Sequence, residues 1–267
     1  MVIQLDFNYN KDIIYKIIDN ITLSLDIIVP KGLTEPAPCV VWFHGGGWRE
    51  GSKDDIGSMP FLPGELLSSG ICIVSAEYRL VDKNGGGFSQ SVCDAKDAIE
   101  FVKTLSYIDK NKIFTGGISA GAYLALETAM LYKTLNICGV LSFSGITFMH
   151  GCDTEFSKLA VFPTTQGFID GFLNASQNKI DFTVNPSELL FTCDKSIRFF
   201  IAHGDMDECV NVQSADKFVK RAKNLGFEIE YVRINNSNHT FSPVENPISP
   251  PLKQIMKAAT EFVKKCS

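Results

Sequence analysis

The segment G-I-S-A-G at 117–121 constrains this chain more than any other, because it joins two stretches of different periodicity. An apolar run at 112–115 precedes it and indicates a short buried strand, while residues 122–130 follow a helical period. In so tight a turn from strand to helix, Gly117 and Gly121 relieve backbone crowding and let Ser119 project at the head of the helix. The alternative is a glycine-rich turn whose serine only caps the helix, and the partners of Ser119 must decide between the two.

At 267 residues, with 45% hydrophobic and 21% charged residues, the chain has the size and composition of one globular domain with a full core. We therefore expect a single domain over 1–267 that carries a modest insertion. A net charge of −5, without a Lys/Arg cluster, argues against a nucleic-acid partner.

The beginning of the chain lacks a basic start followed by a long apolar run, which argues against a signal peptide and predicts a cytoplasmic protein. No run approaches the ~18 apolar residues of a membrane span, so none is expected. Reduced thiols are expected for the 8 cysteines, although Cys152, Cys193 and Cys209 fall in predicted loops and could pair. Neither zinc-type Cys/His spacing nor a G-x-G-x-x-G, P-loop or H-E-x-x-H motif occurs, so neither a metal nor a cofactor is expected.

Apolar runs and helical periods alternate along most of the chain. Further strands are predicted at 21–29, 39–43, 71–76, 138–143, 197–202 and 228–234, and further helices at about 65–67, 89–105, 212–225 and 252–264. The strand at 21–29 alternates with period two, which favours a half-exposed antiparallel strand near a sheet edge. The whole pattern predicts an α/β fold, with a mostly parallel, doubly wound sheet and helices on both faces.

This rhythm lapses between residues 144 and 195, in a stretch rich in phenylalanine. It is far longer than the ~2–6 residues that usually connect elements in α/β units. We interpret it as an insertion over the carboxyl edge of the sheet, with irregular core packing as the alternative.

A serine hydroxyl is a poor nucleophile at neutral pH and needs a base, usually histidine, within hydrogen-bond reach. The chain holds 4 histidines, His44, His150, His203 and His239. Where the serine lies in a strand-turn-helix of this kind, the chain order is serine, then acid, then histidine. His44 precedes Ser119 and leads into a glycine run, and His203 precedes the acidic loop to which it belongs. Chain order therefore predicts His239 as the base, with a surface-loop histidine as the alternative.

The acid is expected in the loop after the strand at 197–202, where Asp205, Asp207 and Glu208 are all candidates. A carboxylate there would fix the tautomer of the imidazole and stabilise the imidazolium that forms during reaction. Spacing does not rank the three, and a solvated acidic turn is the alternative for each.

Backbone N–H groups are expected to bind the oxyanion of a tetrahedral intermediate. The N–H of Ala120 lies at a helix N-terminus, where the dipole favours negative charge. A second set of donors would come from Gly45, Gly46 and Gly47, which directly follow a predicted central strand. A plain glycine turn is the alternative there.

Together these residues resemble the α/β-hydrolase superfamily. They are most similar to its carboxylesterases with an H-G-G-x-W oxyanion motif, near the hormone-sensitive-lipase-like and the acetyl and feruloyl esterases. The matching segments are H-G-G-G-W at 44–48, E-Y-R-L at 77–80, G-I-S-A-G at 117–121, H-G-D-M-D at 203–207 and N-H-T-F at 238–241.

The resemblance implies an eight-stranded sheet, an acid at Asp207 and oxyanion donors at Gly46, Gly47 and Ala120. The chain departs from the family pattern at Glu77, at 80–82 and at 235–237. These positions bear on the support of the site and the shape of the substrate rather than on the triad.

The resemblance further implies a serine carboxylesterase for short-chain esters, including acetyl or feruloyl esters of carbohydrates, that forms an acyl-enzyme. The expected partner is a small-molecule or oligosaccharide ester, contacted by Trp48, Tyr123, Phe148 and Phe168, and the protein could form a homodimer. The same triad could instead serve an arylformamidase, a peptidase or a lactonase. A non-catalytic binding module is the alternative from another class.

Overall fold

A single mixed sheet runs through the computed structural model, which describes residues 6–149, 163–175 and 184–265. Its strands are β1 (Phe7–Ile18), β2 (Ile21–Pro30), β3 (Ala37–Phe43), β4 (Cys72–Ala76), β5 (Ile108–Ile118), β6 (Gly139–Phe143), β7 (Arg198–Gly204) and β8 (Ile229–Ile234). They lie in the order β1-β2-β4-β3-β5-β6-β7-β8. All pairs from β4 to β8 are parallel, whereas β2 pairs antiparallel with both β1 and β4.

The helices of the described residues are α1 (Leu62–Ser68), α2 (Val81–Asn84), α3 (Phe88–Val102), α4 (Ala120–Leu131), α5 (Pro163–Asn174), α6 (Pro186–Leu189), α7 (Val212–Asn224) and α8 (Leu252–Lys265). Helices α3, α4 and α7 pack their apolar side chains on one face of the sheet, and α1 and α8 pack theirs on the other. The predicted doubly wound α/β fold is therefore confirmed. No helix within the described ranges combines the length and apolarity that crossing a membrane requires.

The strand at the outer edge of the sheet, β1, has no counterpart among the predicted elements. Its pairing with β2 shifts register between Asn10 and Ile13 and again between Ile14 and Lys16. Each shift interrupts the period-two alternation by which a strand is recognised in a sequence. Strand β2 is antiparallel and near the edge, as expected, but it lies second in the sheet.

The expected half exposure of the strand at 21–29 is found in its first part, where Thr22 is exposed, but it is wrong for the second part, which is buried on both faces. Asp26, on the same face of β2 as Thr22, is 1% exposed. Its carboxylate accepts a hydrogen bond from the Tyr9 hydroxyl at 2.8 Å and lies 3.0 Å from the ammonium nitrogen of Lys53. A buried carboxylate requires such partners, and the sequence does not show which residues supply them.

Part of the phenylalanine-rich stretch at 144–195 forms α5 and α6. The predictions concerning His150 and Cys152 lie outside the described residues. Each of the six cysteines that the structure describes, including Cys193 and Cys209, is a free thiol.

The register of the parallel strands determines which loops meet. Phe43 at the end of β3 lies beside Gly117 of β5, and Ile118 lies beside Phe143 of β6. Farther along, Gly204 of β7 lies beside Ile234 of β8. Because carboxyl ends of parallel strands share one edge, the loops that follow β3, β5, β7 and β8 all open on the same side of the sheet.

Candidate active site

Ser119 lies at the sharp turn between β5 and α4, with φ 55° and ψ −120°. A Cβ atom on Gly117 would lie 2.4 Å from the carbonyl carbon of Gly121, and one on Gly121 would lie 2.0 Å from the carbonyl oxygen of Phe43. Only glycine fits at either position, which is the relief of crowding that the sequence predicts. The strained backbone at Ser119 is held in place by the hydrogen bond from its N–H to the Phe143 carbonyl at 2.9 Å.

His239 lies in the loop after β8, within hydrogen-bond reach of Ser119. Its Nε2 atom is 2.9 Å from the Ser119 hydroxyl oxygen, and its Nδ1 atom is 2.7 Å from Oδ2 of Asp207. Because an ionised carboxylate only accepts hydrogen bonds, Nδ1 carries the proton and Nε2 presents its lone pair to the hydroxyl. The Ser144 hydroxyl donates to the His239 carbonyl at 3.0 Å and thereby ties this loop to the end of β6.

Asp207 follows β7 and is only 5% exposed. Its Oδ1 atom accepts hydrogen bonds from the backbone N–H groups of Cys209 and Val210, both at 2.8 Å. Its Oδ2 atom accepts from His239 and also lies 3.1 Å from Nε2 of His203. Glu208 instead accepts from the backbone N–H of His239 at 3.2 Å. Of the three acidic candidates, Asp207 is the one in contact with the imidazole of His239.

The charge of Asp207 is stabilised by these donors. Burial opposes ionisation, but the hydrogen bonds from His203 and His239 outweigh it and hold the pKa of Asp207 well below its usual range. The lowered pKa stabilises the folded protein at neutral pH, and that contribution is lost as the pH falls towards the folded-state value. The carboxylate is therefore ionised wherever His239 can act as a base.

His203, which chain order excludes as the base, lies beside Asp207. It ends up buried, with Nε2 2.9 Å from the carbonyl oxygen of Val210 as well as close to Asp207. Since that carbonyl only accepts, Nε2 of His203 carries the proton and can donate to Asp207 too. The available signal was the spacing of His203 and Asp207 in H-G-D-M-D, immediately after a buried strand.

The loop after β3 brings a run of glycines to the same edge of the sheet. Gly46 has φ 107° and Gly47 has φ 58°, both in the region that favours glycine. The buried ring of His44 stacks on Tyr78 at 4.3 Å, and its Nδ1 atom lies 2.7 Å from the Gly45 carbonyl oxygen. The Tyr78 hydroxyl donates to the His44 carbonyl at 2.9 Å. His44 therefore holds the start of the glycine loop, consistent with the backbone role that its place before the glycines indicates.

Gly46 and Gly47 line the cavity together with Ser119, Ala120 and His239. Ala120 is the first residue of α4, and the first N–H groups of a helix have no partner within it. The three backbone positions expected to bind an oxyanion therefore line the same cavity as Ser119.

The cavity has a volume of about 540 Å³, within the usual range for small-molecule sites. Besides the residues already named, its walls include Trp48, Glu50, Asp55, Ile118, Ile146, Thr165, Phe168, Cys209 and Thr240. Two of the four predicted substrate contacts, Trp48 and Phe168, thus reach the cavity.

The other two predicted contacts, Tyr123 and Phe148, lie in the core and not in the cavity wall. The Tyr123 hydroxyl donates to the Val184 carbonyl at 2.9 Å. Its ring meets Trp48 edge-on at 5.5 Å, so it supports a cavity residue rather than lining the cavity. Aromatic side chains of a loop and of a core look alike in a sequence, which explains why they were not separated.

Asp207, Cys209 and His239 offer ligand atoms within 4.8 Å of one another, as a metal site would. The carboxylate of Asp207 already accepts its full set of hydrogen bonds, and Nδ1 of His239 is one of the donors. Burial, with the neighbouring charges of Asp207 and Glu208, raises the pKa of the Cys209 thiol and so disfavours the thiolate that binds metals. We assign no metal to this cluster.

An α/β-hydrolase is defined by an open α/β sheet with a serine on a strand-to-helix turn. A histidine lies within reach of that serine, and an aspartate contacts the histidine from the other side. The BD-FAE family model matches residues 25–222. The chain therefore belongs to the BD-FAE family, within the carboxylesterase branch of the α/β-hydrolases.

Individual relatives agree with this placement. The chain is 25% identical to probable carboxylesterase 7 of Arabidopsis thaliana, in an alignment covering 96% of this chain and 87% of that protein. It is 31% identical to kynurenine formamidase of Danio rerio, over only 42% of this chain and 35% of that protein. Esterase 2 of Thermogutta terrifontis, phosphonylated by sarin, has the same fold, with a TM-score of 0.77, 21% identity and coverage of 99% of this chain and 96% of that one.

We predict that His203 acts through Asp207. His203→Phe removes the N–H and should lower kcat for p-nitrophenyl acetate about tenfold with little change in KM, because the carboxylate loses a charge-assisted hydrogen bond. His203→Gln places an amide N–H near the position of Nε2 and should recover most of the loss.

The melting temperature of each variant shows whether it is folded under the assay conditions. Wild-type kcat in folded His203→Phe, or no recovery in folded His203→Gln, would contradict the positioning role.

Proposed function

We propose that the protein is a serine carboxylesterase that hydrolyses short-chain esters through Ser119, His239 and Asp207. One observation carries the proposal: the continuous row of hydrogen-bonding atoms from the Ser119 hydroxyl through both ring nitrogens of His239 to the buried carboxylate of Asp207. A serine that only capped α4 would accept a hydrogen bond from the helix, and Ser119 makes no such side-chain cap.

In the first half of the reaction, the Ser119 oxygen attacks the ester carbonyl carbon while Nε2 of His239 takes the hydroxyl proton. The imidazolium that forms is stabilised by the carboxylate of Asp207. The N–H groups of Gly46, Gly47 and Ala120 stabilise the oxyanion of the tetrahedral intermediate. Collapse of this intermediate breaks the bond to the alcohol, which leaves with the proton from His239.

In the second half, water replaces the alcohol. His239 takes a proton from the water as it attacks the acyl-enzyme, and the same N–H groups bind the second oxyanion. The acid then leaves, and the proton returns from His239 to the Ser119 oxygen. Each proton lost in one step is regained in another, so the enzyme ends unchanged.

The walls of the cavity support a short acyl or alcohol group. Ile118, Ile146 and Phe168 supply its apolar surface, and the volume of about 540 Å³ suits a small ester. Membership of the BD-FAE family and the resemblance to acetyl and feruloyl esterases favour acetyl or feruloyl esters of carbohydrates as the natural class.

An arylformamidase is the second candidate. The alignment with the Danio rerio kynurenine formamidase supports it. The sequence identity is 31% there and 25% with the plant carboxylesterase, although the formamidase alignment covers a much shorter stretch. The same nucleophile, base and oxyanion donors would attack a formamide carbonyl, so only the relative rates for amide and ester substrates separate the two functions.

We expect Ser119→Ala to lower kcat/KM for p-nitrophenyl acetate by at least about 10⁴-fold, since the acyl-enzyme cannot form. Ser68→Ala, at an exposed position on α1, is the matched control and should keep wild-type turnover. Turnover of this ester by Ser119→Ala at the wild-type rate would refute the mechanism.

The wild-type enzyme is then compared on acetyl esters, acetylated xylo-oligosaccharides and N-formylkynurenine. A kcat/KM for N-formylkynurenine that exceeds those for all the esters would replace the esterase assignment with the formamidase one.

Phe168 is predicted to limit the length of the acyl chain, because its ring lines the cavity beside Gly47. Phe168→Ala should raise the kcat/KM ratio of p-nitrophenyl octanoate to acetate by about tenfold, as each added methylene gains apolar contact. Phe191→Ala is the control, since Phe191 is 56% exposed and lies outside the cavity wall. The same ratio in both variants would show that Phe168 does not set the preference.

A further inference from the structure

Two residues pack against the proposed oxyanion glycines. A Cβ atom on Gly46 would lie 2.2 Å from the backbone carbonyl oxygen of Glu50 and 3.1 Å from its Cγ, so the backbone and the start of the side chain of Glu50 both lie against Gly46. A Cβ atom on Gly47 would lie 2.5 Å from Cδ1 of Phe168, so the Phe168 ring lies against Gly47. Glu50 and Phe168 both line the cavity, so a group attached to a carbonyl bound there lies near a residue with a carboxylate and near an aromatic ring.

The charge of the cavity wall has one sign. Glu50 and Asp55 are acidic, and no Lys or Arg is among the described residues that form the wall. Asp55 accepts a hydrogen bond from the N–H of Ser52 at 2.8 Å, which fixes its carboxylate in the capping box of a short 3-10 helix, Lys53–Ser58. Glu50 has no side-chain partner within the described part of the chain, so its carboxylate is available to a ligand.

The neighbouring cation does not neutralise Glu50. Arg49 forms an ion pair with Asp82, and its guanidinium lies 5.9 Å from the centre of the Phe168 ring. This contact also shows that the ring accepts a cation on one face. A carboxylate and an aromatic face close together are the combination that binds ammonium groups.

We propose that the site selects esters with a positively charged group within a few bonds of the carbonyl, and that Glu50 is the residue that selects them. This inference rests on the proposed esterase function and adds to it the charge class of the substrate. A substituted ammonium group fits best, since it can contact the Glu50 carboxylate and the Phe168 ring at once.

Glu50 should act in opposite directions on charged and neutral substrates. Its negative charge lies beside the oxyanion site, where negative charge develops in the transition state, so it opposes the reaction of a neutral ester. A cationic group on the substrate would lie between the Glu50 carboxylate and the developing negative charge, and it would be attracted to both. Removing the charge should therefore slow cationic esters and speed neutral ones.

The test uses acetylcholine and 3,3-dimethylbutyl acetate, two esters that have the same shape and differ by one charge on the alcohol. A second pair, ethyl 4-(trimethylammonio)butanoate and ethyl 5,5-dimethylhexanoate, places the charge on the acyl side. For each pair, the kcat/KM ratio of cationic to neutral ester is measured in wild type and in Glu50→Gln. Comparing ratios between the two enzymes cancels the difference in intrinsic reactivity of the esters.

In at least one pair, we expect Glu50→Gln to lower the ratio by at least about threefold at low ionic strength. In 0.5 M salt the fall should be smaller, because the Debye length is then only ~4 Å and exposed charges are screened. Glu35→Gln makes the same change in net charge at an exposed site in the link before β3, at the opposite end of that strand, and should leave both ratios unchanged. The proposal is overturned if neither pair shows a threefold fall in the ratio.

Failure of the esterase function itself would look different. In that case wild type would hydrolyse neither member of either pair. If only the charge selection fails, wild type still hydrolyses the neutral esters, and the ratio of kcat/KM for cationic to neutral ester is the same in wild type and in Glu50→Gln.

Discussion

The site depends on one buried carboxylate. Asp207 is almost fully removed from water, and it remains charged because two backbone N–H groups and two imidazole N–H groups converge on it. An isolated buried charge would cost several kcal/mol, so these donors are a condition for the charge to exist there at all. The charge fixes the proton of His239 on Nδ1, and it thereby leaves Nε2 free to act as the base in the mechanism that we propose.

The sheet brings the other parts to that carboxylate. Parallel register places the carboxyl ends of β3, β5, β7 and β8 at one edge, so each loop contributes one component of the site. Close approach then requires glycine at two places. Gly121 lies against the Phe43 carbonyl, and Gly117 lies against Gly121, which brings the serine turn against the end of β3 and next to the glycines that follow it.

Much of this could be predicted from the sequence, because apolar runs identify buried strands and motifs at their ends identify loops of one edge. What escaped prediction depends on contacts between distant segments. Spacing alone did not rank Asp205, Asp207 and Glu208, since all three share a loop and only the fold shows which one faces His239. The edge strand β1 was missed because its bulges break the alternation. The contact of His203 with Asp207 was missed because chain order bears only on which histidine is the base, and not on which residues hold the acid in place.

The central claim is that Ser119 is a nucleophile activated by His239 and Asp207, and covalent labelling measures this directly. The protein is treated with a fluorophosphonate probe, digested, and analysed by mass spectrometry. The account predicts one adduct per chain, on Ser119, that forms far more slowly in Asp207→Asn. An unmodified Ser119 in folded wild-type protein, or equally fast labelling in folded Asp207→Asn, would contradict it.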